Sequence, residues 1–169
     1  MGYRKTRKMV YMALLSAIAI VLHMIEGTLP IPLPFGVKLG LANIISMVVI
    51  EIYGPKEMFI VNFFRVMIAS LLNGTFLYNP FYMSCGGVFL SSLILVVLKK
   101  ITSLPMISCS IISAIFHNIG QIIVISFILS SAAVMPYIFI MFASSIPTGI
   151  FVGMVAIEIL KRVKKEQFQ

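Results

Sequence analysis

The sequence predicts an all-α membrane protein, a six-transmembrane-helix bundle in which residues 1–169 form a single membrane domain. Composition is the first reason, because 60% of the residues are hydrophobic and 11% are charged, with a mean hydropathy of +1.10. Soluble domains have about 45–50% apolar and about 25% charged residues. Length is the second reason. A hydrocarbon core about 30 Å thick requires about 20 residues per helix, so 169 residues are enough for six spans with short connections.

Apolar runs between polar residues or Pro/Gly breaks define the elements. The predicted spans are residues 9–25, 37–53, 57–72, 81–98, 105–129 and 134–160. Span one follows a basic stretch, but it is long and has no small-residue cleavage signature, which distinguishes it from a signal peptide. Spans two and three are separated by Gly54 and Pro55. This pair predicts a tight antiparallel hairpin, because Pro fits the first helical turn and Gly frees the backbone before it.

The later spans are separated by polar connections. Residues 73–80 lie between spans three and four, Lys99 and Lys100 between four and five, and residues 130–135 between five and six. The start of span five is the least defined, because residues 102–104 fit either a loop or a first helical turn. Pro147 lies inside span six and predicts a kink there.

The positions of the cations predict the orientation, since Lys and Arg in short loops stay on the cytoplasmic side. With an even number of crossings, one face of the membrane receives Arg4, Lys5, Arg7, Lys8, Lys56, Lys99, Lys100, Lys161, Arg162, Lys164 and Lys165. The opposite connections contain no Lys or Arg, and only Lys38 lies near that side. We therefore predict cytoplasmic amino and carboxyl ends in the inner or plasma membrane. A five-span arrangement is disfavoured because it places a basic tail outside.

Arg65 is a charged residue well inside span three, near the predicted midplane. Burial of a charge at that depth costs at least about 2.5 kcal/mol. No carboxylate is expected at the same depth, because Glu26 lies at the outer end of span one and the other carboxylates of the spans lie near inner ends. Arg65 is therefore expected to have an amide partner, a path to the interface, or an anionic ligand.

Other polar side chains lie inside apolar runs. His117 and Gln121 share a helix face at i, i+4. Such groups can be interhelical contacts, each worth about 0.6 kcal/mol, and for any single one this is the simpler interpretation. Their number favours a polar ligand site on the outer half of the bundle. Its predicted members are Lys38, Asn43, Arg65, Asn79, His117 and Gln121.

Small residues form two helix faces. Ala13 and Ala17 are four residues apart in span one, and Gly149 and Gly153 are four residues apart in span six. Small faces let another helix approach closely. They predict either packing within the bundle or docking of a partner membrane subunit.

The residue inventory argues against a self-sufficient enzyme. The chain contains no Asp, so it has no Asp-rich motif for a Mg²⁺–diphosphate complex. It has no Walker A sequence for ATP hydrolysis, and its two His are far apart without Cys or Asp neighbours. We predict no metal and no cofactor. The +8 charge lies in short clusters rather than on one amphipathic face, which is typical of loops at an anionic membrane surface rather than of nucleic-acid binding.

Several runs resemble one membrane family. These are Gly36-Val-Lys-Leu-Gly-Leu-Ala-Asn43, Arg65 followed by Ser70-Leu-Leu-Asn-Gly-Thr-Phe76, Asn79-Pro-Phe with Gly86-Gly87, and His117-Asn-Ile-Gly-Gln121. They resemble the heptaprenyl diphosphate synthase component I family, also called the Gx transporter family. By fold that family is similar to the S components of energy-coupling factor importers.

The resemblance implies a substrate-binding S component. Such a subunit captures a small vitamin-like or isoprenoid/quinone-precursor ligand from outside and works with a transmembrane T subunit and two cytoplasmic ATPases. Ala13 and Ala17 match the AxxxA face that S components present to the T subunit. The alternative is a non-catalytic accessory subunit of a heptaprenyl diphosphate synthase. A third possibility is a structural assembly factor for a membrane redox complex, which predicts no saturable ligand binding.

Overall fold

The computed structural model describes residues 2–28, 40–130 and 136–167, and in these ranges the chain is helical with no strand. Six helices follow one another along the chain: α1 Gly2–Thr28, α2 Leu41–Ile52, α3 Pro55–Leu72, α4 Asn79–Ile101, α5 Met106–Ile128 and α6 Tyr137–Gln167. The predicted all-α class and the number of helices are confirmed. The largest boundary differences are at α1, which begins at Gly2 rather than Met9, and at α6, which ends at Gln167 rather than Leu160. The predicted start of α2 at Val37 lies outside the described residues.

Four of these helices, α1, α4, α5 and α6, are long and apolar enough to cross a membrane. Helix α2 is apolar but has 12 residues, which is about 18 Å at about 1.5 Å per residue. Helix α3 has 18 residues and contains Lys56, Glu57 and Arg65. Length and composition therefore identify a multi-pass membrane protein.

Helix α2 is the central helix of the bundle. Ala42 and every residue from Ile44 to Ile50 are buried, because α2 packs against α1, α3 and α6. A helix that is apolar on all sides is expected in a protein interior. The core around it includes Met47, Val49 and Met58. Because α2 is enclosed by protein, the polar groups at its amino end face other helices rather than lipid.

The predicted hairpin between α2 and α3 is confirmed. Helix α2 ends at Ile52 and α3 begins at Pro55. Gly54 has a φ of 99°, a conformation that residues other than glycine rarely adopt. Pro55 occupies the first turn of α3. The chain can therefore reverse within two residues.

Ion pairs join the helices at one end of the bundle. Lys8 at the start of α1 pairs with Glu57 at the start of α3. Lys99 at the end of α4 lies 2.5 Å from Glu51 at the end of α2. The starts of α1 and α3 and the ends of α2 and α4 are therefore at the same end of the molecule, as consecutive antiparallel helices require. These pairs are partly exposed, so each is worth about 0–1 kcal/mol.

The glycines of α6 pack inside the molecule. A Cβ atom at Gly149 would lie 2.6 Å from the Cα of Ile111, and one at Gly153 would lie 2.9 Å from the Cα of Ile107. Both neighbours belong to α5. Of the two interpretations of this small-residue pair, the structure therefore favours packing within the bundle.

Candidate ligand site

A cavity of about 30 Å³ lies among the helices and receives polar side chains from all six of them. The polar lining consists of His23, Glu26, Asn43, Arg65, Ser84, Ser110, Ser113, His117, Asn118 and Thr148. His23, Glu26 and Asn43 lie near the predicted outer ends of their helices, whereas Ser110 and Ser113 lie near the predicted inner end of α5. The site thus gathers groups from distant parts of the sequence at one place.

The volume limits what this conformation can hold. A water molecule in the liquid has about 30 Å³, and pockets for small ligands have about 300–1,000 Å³. The cavity of about 30 Å³ therefore has room for water-sized guests. A larger guest requires the surrounding helices to move apart.

Arg65 is the central cation of the cavity. Its side chain is 1% exposed, and its Nη1 donates a hydrogen bond to Oδ1 of Asn43 at 3.3 Å. Its Nε is buried and has no hydrogen-bond partner among the described residues. A guanidinium has five N–H donors and no acceptor, so a buried one with an unused donor is expected to attract an acceptor group. Of the partners predicted for Arg65, the amide is present.

Glu26 is the carboxylate that lines the same cavity as Arg65. It is 5% exposed and attracts the Arg65 guanidinium electrostatically. Glu26 lies in the last turn of α1, at the predicted outer end of span one. Glu26 and Arg65 line one cavity because the last turn of α1 contacts the start of α2, while Arg65 lies beyond the centre of α3.

Glu26 also holds the start of α2. Its Oε1 accepts hydrogen bonds from the backbone N–H groups of Gly40 and of Leu41, the latter at 3.4 Å. Gly40 has a φ of 76°, which a glycine adopts without a steric penalty. The first N–H groups of a helix carry a partial positive charge. The carboxylate charge of Glu26 is therefore shared between the start of α2 and Arg65.

His117 belongs to a second polar network, between α4 and α5. Its Nδ1 lies 3.4 Å from Oγ of Ser91, and its Nε2 lies 3.3 Å from Nε2 of Gln121. The Ser91 hydroxyl donates its proton to the carbonyl of Val88 at 3.1 Å. Because the Ser91 proton is directed to Val88, Nδ1 can donate to the Ser91 oxygen while Nε2 accepts from the Gln121 amide.

Close packing of α4 on α5 fixes the position of His117. A Cβ atom at Gly87 would lie 2.9 Å from the carbonyl oxygen of His117 and 2.9 Å from Cγ of Gln121. Only glycine lets the helices approach to this distance. Gln121 is 2% exposed and its Oε1 has no hydrogen-bond partner within the described ranges. Gln121 therefore contacts His117 but does not line the cavity.

The six predicted site residues have different outcomes. Asn43, Arg65 and His117 line the cavity, and Gln121 contacts His117 without lining it. Asn79 is exposed in the first turn of α4 and is not part of the cavity. Lys38 lies outside the described residues.

Several cavity residues were not predicted from the sequence. His23 and Glu26 are the clearest, because they are three residues apart in an otherwise apolar part of α1 and therefore share one helix face. Ionisable residues inside a membrane helix usually face the bundle interior. Ser110 and Ser113 show the same spacing on α5. Single serines are too common in membrane helices to be identified without the structure.

The predicted docking face on α1 lies on the surface. Ala13 and Ala17 are both exposed, and the same helix exposes Leu14, Ile18 and Val21. No other described helix covers this surface. Docking of a partner there stays a prediction.

Comparison with known proteins places the chain in a family. The family model described as heptaprenyl diphosphate synthase component I matches residues 15–159. The chain belongs to this family. The match includes every residue that lines the cavity and confirms the resemblance to the component I family that the sequence runs indicated. No curated protein and no solved structure matches the chain.

Proposed function

We propose that the chain is a non-catalytic membrane subunit that binds an anionic isoprenoid, as component I of a heptaprenyl diphosphate synthase. The observation that carries this proposal is Arg65, a fully buried guanidinium at a cavity, with one hydrogen bond to Asn43 and an unused Nε donor. Arg pairs with phosphate oxygens through charge-assisted, often bidentate hydrogen bonds.

The electrostatics of the site support an anionic guest. Arg65 brings a full positive charge, and the start of α2 adds a partial one. Glu26 offsets part of this charge but accepts hydrogen bonds from backbone N–H groups of α2. Lys38, the predicted second cation, precedes α2 in sequence and stays part of the proposal.

The chemistry of chain elongation is assigned to another subunit. Ionisation of an allylic diphosphate requires Mg²⁺ held by several carboxylates. Glu26 is the one carboxylate in the lining of the described cavity, and the sequence contains no Asp. The description of the family as a component I also supports a partner that performs catalysis. In this role the chain holds substrate or product at the membrane.

A second candidate is the S component of an energy-coupling factor importer. One observation favours it, namely that Ala13 and Ala17 lie exposed on α1, where a T subunit with two ATPases would dock. Six crossings of the inner or plasma membrane with both ends in the cytoplasm would place His23, Glu26 and Asn43 of the cavity in the outer half. The ligand would then be a vitamin-like or isoprenoid/quinone-precursor molecule captured from outside.

Binding measurements test the shared basis of both candidates. We expect the full chain in lipid nanodiscs to bind farnesyl diphosphate saturably, and Arg65→Ala to weaken binding by about tenfold or more, because a charged hydrogen bond is worth about 1.5–3 kcal/mol. Asn79→Ala is the matched control, since Asn79 is exposed outside the cavity. Equal affinity of the Arg65→Ala variant and the unaltered chain for farnesyl diphosphate would show that Arg65 does not bind the anionic group.

Co-purification separates the two candidates. A tagged full chain isolated from native membranes in mild detergent should retain a soluble prenyltransferase if it is component I. Recovery of a T subunit with ATPases, lost in an Ala13→Leu/Ala17→Leu variant, would instead establish the importer role.

A further inference from the structure

A second cavity, with a volume of about 340 Å³, lies between α3 and α4. It is defined by apolar side chains of the two helices, mainly Phe59, Phe63 and Met67 of α3 and Phe81, Cys85 and Phe89 of α4. We call this feature the α3–α4 groove. Its volume is within the range of about 300–1,000 Å³ that is typical of small-molecule sites. It is also much larger than the polar cavity of about 30 Å³.

The α3–α4 groove offers hydrocarbon contacts rather than hydrogen bonds. Asn62 is the one amide in its lining, and its polar atoms are already used. Oδ1 of Asn62 accepts a hydrogen bond from Ser46 at 2.6 Å, and Nδ2 donates to Ser92 at 2.9 Å. An occupant of the groove is therefore recognised by its apolar surface.

The groove borders both the lipid and the polar cavity. Phe63 is 59% exposed and Phe89 is 61% exposed, so the groove opens to the lipid side of the bundle. On its inner side, Val88 lines both the groove and the polar cavity. Arg65 and Val66 are neighbours on α3, and the first lines the polar cavity while the second lines the groove. One layer of side chains thus separates an apolar site from the buried cation.

The opposite face of α4 provides no such opening. There Gly87 lets α5 approach so closely that a Cβ atom would lie 2.9 Å from the carbonyl of His117. Displacement of α4 from α3 breaks apolar contacts and the hydrogen bond from Asn62 to Ser92, whereas displacement from α5 disrupts close backbone packing. The α3–α4 side is therefore where the small polar cavity can widen toward the membrane.

We propose that the α3–α4 groove binds the hydrocarbon chain of an amphiphile whose anionic head group lies at Arg65, and that this ligand enters sideways from the bilayer between α3 and α4. The proposal rests on the proposed function for the position of the head group. It commits the site to a ligand with a charged head and an apolar chain rather than to a compact water-soluble anion.

The first test separates the head from the chain. Binding of inorganic diphosphate, geranyl diphosphate and farnesyl diphosphate is measured on the full chain in nanodiscs of one lipid composition. We expect affinity to increase with chain length. Cys85→Phe, which fills the groove, should weaken the binding of farnesyl diphosphate by about tenfold or more. It should leave the affinity for inorganic diphosphate unchanged. Val97→Phe is the matched control, because Val97 is exposed on α4 outside the groove.

A smaller change guards against misfolding of the filled variant. Phe89→Ala removes one wall of the groove at an exposed position, and we expect the same selective loss of the chain-length gain. Because all variants are compared in the same bilayer, partition of the probe into lipid is identical and cancels.

The native cysteines provide an independent readout. Cys85 lines the groove, whereas Cys109 is 1% exposed and serves as the unreactive control. A lipid-soluble maleimide should label Cys85, and farnesyl diphosphate should slow labelling severalfold where inorganic diphosphate does not. Protection by bilayer lipid alone, with no further effect of farnesyl diphosphate, would assign the groove to ordinary lipid and overturn the proposal.

Different binding results would exclude the groove site and the anion site at Arg65. If diphosphate binds in an Arg65-dependent way but chain length and Cys85→Phe have no effect, the groove proposal is wrong and the proposed function stands. If none of the probes binds, both are wrong.

Discussion

The opposite charges of Glu26 and Arg65, buried beside the same cavity, should be major determinants of stability. Arg65 is 1% exposed and Glu26 is 5% exposed, so removal of one partner leaves a charge in the interior with incomplete compensation. A buried charge left without a compensating group costs about 3–5 kcal/mol, the range found when one member of a buried ion pair is removed. For a chain of this size about 2–4 °C of Tm corresponds to 1 kcal/mol, so a decrease of about 6–20 °C is expected.

Two substitutions at Glu26 separate charge from hydrogen bonding. Glu26→Gln keeps an oxygen that can accept the Gly40 N–H bond and removes the charge, whereas Glu26→Ala removes both. We therefore expect Glu26→Ala to be the less stable variant. Arg65→Met should be milder than either, because Glu26 keeps its bonds to the start of α2.

A double-mutant cycle measures the coupling. Glu26→Gln combined with Arg65→Met should be more stable than the sum of the single changes predicts, by about 0.5–3 kcal/mol. The assay is loss of helical circular dichroism during heating in mild detergent. Glu158→Gln is the control, because its ion pair with Arg162 is 57–78% exposed and is worth about 0–1 kcal/mol. Strict additivity, or equal effects of Glu26→Gln and Glu158→Gln, would refute the reasoning.

Three further predictions concern packing and polar contacts. Gly87→Ala should lower the free energy of unfolding by about 1–3 kcal/mol, because the added Cβ would lie 2.9 Å from atoms of α5. Gly27→Ala is the control, because the nearest atom to its added Cβ lies at 3.8 Å, and its thermal unfolding should change little. Asn62→Ala should cost about 1–3 kcal/mol, since two serine hydroxyls lose their partner; a Tm equal to that of the unaltered chain would contradict this. Lys8→Ala removes a partly exposed ion pair with Glu57, so the free energy of unfolding at low salt should change by less than about 1 kcal/mol. A larger change would show that the pair is more than a surface contact.

Local patterns predicted the elements of the fold well. Apolar runs identified six helices, and Gly54 with Pro55 identified the hairpin, because helix length and turn chemistry depend on residues close in sequence. The i, i+4 spacing of His117 and Gln121 likewise predicted their contact. These relations involve one helix or one turn and need no knowledge of how helices pack.

Relations between helices were harder to predict. The contact of Glu26 with the start of α2 depends on the axial position of α1 relative to α2. Hydrophobic periodicity does not determine this position. Asn79 was predicted in the site from its position near the outer side, but the start of α4 leaves it exposed. The α3–α4 groove arises where two apolar helices fail to pack closely, and their sequences look like those of any lipid-facing pair.

Buried Arg65 is expected to hold an anionic guest. Native mass spectrometry of the full chain, released from membranes in a mild detergent, tests it most directly with Arg65→Met as the comparison. We expect a bound anionic molecule with an apolar chain on the unaltered protein and its loss from the variant. The same molecule bound equally to both proteins, or a neutral or cationic one in its place, would show that Arg65 does not hold an anionic guest.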